Sequence, residues 1–273
     1  SKENAYVLKE FKKGYKIPII SDTMFHTMLN NYSRKKYVSY LISLALNKDY
    51  EKIYSSIIFL NNKLDKENIR ESSKTVDFVC TIDNEVIGIE MNNNTSKEAL
   101  ERNISYAADL YKSKMIRGRK YEYQKVVQIN INNFTFKGNN KIIEEYSLKN
   151  KQGEEFTDKL KFIHIYLPNI RKKYYNKGNL SELERLLLIF NEEEDLEKLC
   201  GGNIIMEDYI KEREDVSIDD EVIGLYDKEL HLEKLRLSEI YHAKEEGMKQ
   251  GIDKRNIEIA KNLLKNNVSI DII

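Results

Sequence analysis

The 273-residue sequence predicts an α/β protein, a mixed central sheet flanked by helices with a helical C-terminal extension. Three observations carry that expectation. A β-hairpin signal is followed by a long amphipathic helix and then a further strand, an alternation that builds a mixed sheet. After Asn169 the apolar periodicity becomes helical. Hydrophobic residues make up 41% of the chain, enough for a packed core. On this pattern residues 1–190 are expected to form the α/β domain and residues 191–273 a charged helical region.

Taken in order, the chain opens on Ser and not Met, as a processed or tagged chain does, and residues before Lys16 carry little weight. From Ser21 the run SDTMFHTMLNN reads as a capped helix with Met24, Phe25, Met28 and Leu29 at helical spacing. Lys35 to Leu46 forms a second helix, and the polar residues 61–74 a loop. Thr75–Ile82 and Glu85–Asn92 read as strands joined at Asp83-Asn84, a dipeptide suited to a tight turn with positive φ. A helix from Ser96 to about Met115 follows, its inner face taken as Leu100, Ile104, Ala107, Ala108 and Tyr111. Strands at Lys125–Ile131 and Lys161–Leu167 come next, with the segment between them unassigned. Helices are then expected at Ser181–Phe190, Glu192–Leu199 and Ile205–Glu212, beyond the Gly201-Gly202 break. Residues 219–267 read as a charged helical tail interrupted at Gly247 and Gly251. With few apolar positions, this tail is expected to pack on the α/β domain or on a partner, a second copy included.

Composition narrows the function classes. The 45 Lys+Arg balance 45 Asp+Glu, so no global basic field marks a nucleic-acid partner and any such surface must be local. No apolar run nears 18 residues and no charged-then-apolar leader is visible, so neither a membrane span nor a signal peptide is expected and the location expected is cytoplasmic. Cys80 and Cys200 are too few for a disulfide framework or a four-ligand zinc site. His26, His164, His231 and His242 show no ligand spacing, and structural or surface roles are expected for them.

The hairpin carries the chemistry. With Asp83-Asn84 as a two-residue turn, paired positions sum to 167, which sets Asp77 opposite Glu90 and Thr75 opposite Asn92. Val76, Phe78, Cys80, Ile82, Ile87, Ile89 and Met91 then point to one side. The other side carries Asp77, Glu90, Asn92 and Thr75, with Gly88 leaving open space beside them. Opposed Cβ atoms on paired strands lie about 4.5–5.5 Å apart, close enough for two carboxylates to share one divalent cation. Like charges at that separation destabilise a hairpin unless a cation or a raised pKa compensates. A solvated sheet face is the other reading, but VIGIEM is nearly all apolar, as in a central strand covered on both faces, where a carboxylate is unusual.

The pattern Asp77-x12-Glu90-x-Asn92 across a hairpin, with Arg102 and Tyr106 on the next helix and a strand beyond Gly118, Tyr121 and Lys125, resembles the PD-(D/E)XK nuclease superfamily. More narrowly it resembles the recombination-promoting nuclease or putative-transposase family, with D...(I)E-x-Q and R-x3-Y motifs. SDTMFHTML resembles that family's first helix, and EEGMKQGIDKRNIEIAKNLLKNNVSIDII its glycine-punctuated tail, so the likeness runs from Ser21 onward. It implies a restriction-endonuclease-like fold and a DNA endonuclease using Mg²⁺, or Mn²⁺ or Ca²⁺. Asp77 and Glu90 would then be the metal ligands, joined by the Met91 carbonyl, with Asn92 at the water-orienting third position. There the sequence departs from the family: Asn92 stands where Lys or Gln is usual, and an amide neither carries charge nor shuttles protons. A catalytically degenerate fold that binds DNA or a protein without cutting is the competing expectation.

Three further assignments have two readings each. Asp22 is a helix N-cap or an additional acid at the site. Arg102, one turn from Tyr106, contacts phosphate or pairs with Glu98 or Glu101. The stretch YKSKMIRGRKY supplies a DNA-backbone patch through Lys114, Arg117, Arg119 and Lys120, or solvated cations at a helix end.

Overall fold

A computed structural model describes residues 16–60, 76–93, 97–113, 123–136, 138–192 and 195–266. The chain divides into two compact units, Ser1–Ile223 and Gly224–Ile273. In the first, α1 (Asp22–Met28), a 3-10 turn (Tyr32–Arg34), α2 (Lys35–Leu46) and α3 (Tyr50–Ser56) precede a short strand, β1 (Ile58–Phe59). The hairpin β2 (Phe78–Ile82) and β3 (Glu85–Asn92) leads through α4 (Lys97–Ser113) to β4 (Lys125–Asn132). Strands β5 (Ile143–Lys149) and β6 (Glu155–Tyr166) complete the sheet. Helices α5 (Leu167–Tyr175), α6 (Glu182–Asn191), α7 (Leu196–Cys200), α8 (Ile204–Ser217) and α9 (Asp220–Lys265) follow.

The six strands lie in the order β1-β2-β3-β4-β6-β5. β3, β4 and β6 run parallel while β1, β2 and β5 pair antiparallel, the mixed α/β sheet that the alternation predicts. The hairpin register is the predicted one, Phe78 opposite Ile89 and Ile82 opposite Glu85, and Asp83 takes φ 53. Apart from half-buried Glu85, every residue of β3 is buried. Both faces of the strand are therefore covered, as its apolar run requires.

The ladder begins at Phe78 and not at Thr75, which lies outside the described residues, because the chain bends at Asp77. That bend corrects the side assigned to Val76. It packs with Val79, Val86, Val126 and the α4 residues Tyr106, Ala107 and Leu110. Helix α4 buries Ala99, Asn103, Tyr106, Ala107 and Leu110, whereas Ile104 is 57% exposed and Ala108 faces solvent. The stripe is rotated from the predicted one because it contains Asn103, which an apolar count passes over. Nor is the space beside Gly88 open. A Cβ there would collide with Gln128 Oε1 and lie 3.1 Å from Leu110 Cδ1.

Elsewhere α3, β1, β5 and α5 add to the predicted elements. β5 fills the unassigned segment, and its IEEYSLK is mostly exposed, giving no clean alternation. β6 stops at Tyr166, not Leu167, because Pro168 opens α5 at its first turn. α6 carries a capping box, Ser181 with Glu184, and ends at Asn191 with Glu192 as its C-cap, so the next helix starts at Leu196 and not at Glu192. Arg213, fully buried, donates to the carbonyls of Lys16, Ile17, Ile189 and Glu192, tying the start of the described chain to α6 and α8. In the tail, α9 runs unbroken through Gly247 and Gly251, so neither glycine interrupts it. A glycine costs about 1 kcal/mol in a helix, and the flanking Glu, Lys, Met and Gln are good helix formers that offset it. Among the described residues no helix is long and apolar enough to cross a membrane.

Candidate active site

The bend that precedes β2 turns Asp77 across the hairpin toward Glu90. The Asp77 N–H donates to Glu90 Oε1 at 3.0 Å, and the Met91 N–H donates to Asp77 Oδ2 at 2.8 Å. One oxygen of each carboxylate is committed to the hairpin backbone, and the other takes no part in this exchange. Two contacts fix the surroundings. Asn30, just past α1, donates to the Asp77 carbonyl at 3.1 Å, and Asn93, just past β3, donates to the Ile20 carbonyl at 2.6 Å. They hold the two ends of α1 against the site. Ser21 caps that helix by accepting from the Met24 N–H, which leaves Asp22 in the first turn without the capping duty.

Electrostatics make the pair costly. Burial, which penalises the charged form, raises Asp77 to about 7, the Asp22 charge pushing the same way while the Met91 N–H and Arg102 oppose it. Glu90, 3% exposed, is held well above the ordinary carboxylate range by burial first and the Asp77 charge second, with Asp22 adding to both. Arg102 lowers both groups and so acts as a local counter-charge.

Asn92 and Arg102 belong to one hydrogen-bonded chain. The Arg102 guanidinium donates to Asn92 Oδ1 at 3.0 Å, and Asn92 Nδ2 donates to Asn132 Oδ1 at 3.1 Å. Asn132 Nδ2 lies 3.3 Å from His164 Nδ1, and Asn130 Nδ2 lies 3.4 Å from His164 Nε2. Burial lowers the His164 pKa, favouring a neutral ring. The register puts Glu90 beside Asn130 and His164, and Asn92 beside Asn132 and Tyr166, so a polar row crosses the α4-covered face.

Of the predicted residues, Asp77, Glu90, Met91, Asn92 and Arg102 are therefore brought together. Tyr106 is 9% exposed within the apolar cluster, and its phenol is raised by burial and then by the Glu90 charge, so it faces the carboxylates and not solvent. Lys114, Arg117, Arg119 and Lys120 lie outside the described residues. Gln128, Asn130 and Asn132 are not among the residues predicted from the sequence, and His164, expected to be structural or at the surface, is buried in this row. The signal for the first three was present in KVVQININ, where Gln128, Asn130 and Asn132 alternate with apolar residues.

Among the described residues no group of three His, Cys, Asp or Glu gathers as a cation site. The donor set is the carboxylate pair, with Asp22 contributing through its charge. The pair fits a divalent cation chemically, because two mutually repelling hard oxygen donors, Glu90 buried and Asp77 half-buried, are what such an ion relieves.

The model of the family described as PD-(D/E)XK nuclease family transposase matches residues 19–242, from the approach to α1 into α9. No curated protein and no solved structure matches the chain.

Proposed function

The chain belongs to the PD-(D/E)XK nuclease family transposases, and on that premise we propose that it is a divalent-metal-dependent endonuclease that hydrolyses DNA phosphodiester bonds at Asp77 and Glu90. The observation that carries the reading is the pairing of buried Glu90 with half-buried Asp77, both raised in pKa, beside the Arg102 counter-charge from α4. The oxygens not used by the hairpin backbone, together with the Met91 carbonyl, would hold Mg²⁺, Mn²⁺ or Ca²⁺. When bound, such an ion supplies neutralisation of the charge that builds on the phosphodiester oxygens.

The chain's own groups do the rest. Arg102, exposed at the edge of α4, contacts the phosphate and supplies the positive charge that position 92 lacks. Asn92 is then chiefly a positioning residue that aims the guanidinium through Oδ1, with one N–H beyond its bond to Asn132 left for water or substrate. Tyr106 packs beneath Arg102, one helical turn away, and its phenol faces Glu90. Lys114, Arg117, Arg119 and Lys120, which follow α4 in the sequence, supply further cations for the DNA backbone.

Nicking of supercoiled plasmid by the full chain tests the reading. Cleavage with Mg²⁺ that stops in EDTA and in Asp77→Ala or Glu90→Ala is the expected result. Variants cutting as fast as the parent would reject the site. An uncleaved plasmid, with DNA still bound, would favour the degenerate reading, for which the uncharged Asn92 speaks.

A further inference from the structure

The α4-covered face holds a second feature, a cavity of about 380 Å³ between α4 and the β5–β6 hairpin. We propose that it receives an unpaired nucleobase, best an adenine, of the DNA strand bound at Asp77 and Glu90. The proposal rests on the nuclease reading for its strand and on four observations of its own.

The first is position. His164 of β6 lines the cavity and is level with Glu90 across β4, since Glu90 pairs with Asn130 and Asn130 with His164. Two strand spacings amount to about 10 Å, the reach from a backbone phosphate to a neighbouring base. The second is the wall, where Tyr146, Phe162, His164 and Tyr166 present rings to the space. Aromatic faces stack bases of any sequence. The third is charge: among the described residues no Lys, Arg, Asp or Glu lines the cavity, so it suits a neutral, flat group and not a phosphate.

The fourth observation selects a polar edge. Asn103 lines the cavity at 1% exposure, and neither its Nδ2 nor its Oδ1 has a hydrogen-bond partner. A buried carboxamide without partners is costly, and a hydrocarbon ligand would leave it so. A donor and an acceptor side by side match the N6 and N7 edge of adenine. Asn130 Oδ1, buried without a partner in the intervening strand, leaves a further acceptor on the path between the two sites. A base inside a duplex does not reach such a cavity, so it must be extruded, which is cheapest where it is already unpaired. Ile104, Tyr146 and Leu148, all exposed, offer an apolar rim for its entry.

The test measures binding of the full chain, in Ca²⁺, to two DNA duplexes of one sequence, one of which carries a single extrahelical adenine. The expected result is binding of the adenine-bulged duplex about tenfold tighter. Asn103→Leu, of similar size but unable to pair, and Ser147→Trp, which fills the cavity from the half-buried edge of β5, should each erase the difference. Equal binding of both duplexes by the parent, or a preference that survives both substitutions, overturns the proposal. Plasmid cleavage measured alongside separates the two readings. Cutting without a preference rejects the base pocket alone, whereas a preference without cutting, kept in Glu90→Gln, supports the pocket and rejects the nuclease.

Discussion

Asp77 and Glu90 are locked together through the hairpin backbone: the Asp77 N–H donates to Glu90 Oε1 while Asp77 Oδ2 accepts from the Met91 N–H. Each bond needs only an oxygen acceptor, which an amide also provides. Asp77→Asn and Glu90→Gln should therefore fold with the same hairpin and lose only charge. In EDTA at pH 8 either variant is expected to be more stable than the parent by on the order of 1 kcal/mol, a few degrees in melting temperature. In Mg²⁺ the ranking should reverse, because only the parent gains binding energy. Cleavage should fall at least ~10²-fold in both, as for loss of a group that stabilises developing charge. Variants less stable than the parent in EDTA would show that the carboxylates are not in repulsion.

The pH dependence has a fixed sign. Asp77 titrates at about 7 in the folded chain, above its unfolded value, so over the interval between the two the folded state holds a proton that the unfolded state has released. Stability from that proton is fully present at pH below the usual carboxylate range and is lost as pH rises through 7. A cation competes with the same proton, so Mg²⁺ affinity should climb over this interval with net proton release on binding. Calorimetry in two buffers of different ionisation enthalpy would read the release. Affinity that stays flat from pH 5.5 to pH 8 would remove Asp77 from the ligand set.

Arg102 and Asn92 should act as one unit. Arg102→Ala is expected to lower kcat ~10²–10³-fold. Asn92→Ala frees the guanidinium and should cost less, chiefly in KM. Because the Asn92 effect runs through Arg102, the double variant should be no worse than Arg102→Ala, a non-additivity that a double-mutant cycle measures. Additive losses would mean that Asn92 acts on its own, as a water-holding residue.

Much of this arrangement was legible in the sequence because it is local. The hairpin register followed from the Asp83-Asn84 turn and the period of two, and it placed Glu90 and Asn92 on one face correctly. What was not legible depends on contacts distant in sequence. The bend at Asp77 comes with the tie from Asn30, and the chain from Asn92 to His164 exists only because β4 and β6 align beside β3. The rotation of α4 likewise depends on the buried polar Asn103, which no apolar pattern predicts. Asp22 was ambiguous between cap and acid until the neighbouring Ser21 took the cap.

The row of Gly88 and Gln128 gives a test of packing independent of chemistry. Gln128 pairs directly with Gly88 across β3 and β4, is fully buried, and rests its carboxamide where a Cβ of residue 88 would project. The φ of Gly88 is not in the left-handed region, so the glycine is required here for space and not for conformation. Gly88→Ala must push Gln128 away and also presses on Leu110, and overpacking of this kind costs about 1–3 kcal/mol. Shortening the neighbour should remove most of that cost, so Gly88→Ala is expected to be far milder in a Gln128→Ala background. Chemical denaturation of the two single variants and the double variant decides it. Equal penalties for Gly88→Ala in both backgrounds would mean that Leu110, and not Gln128, sets the limit on residue 88.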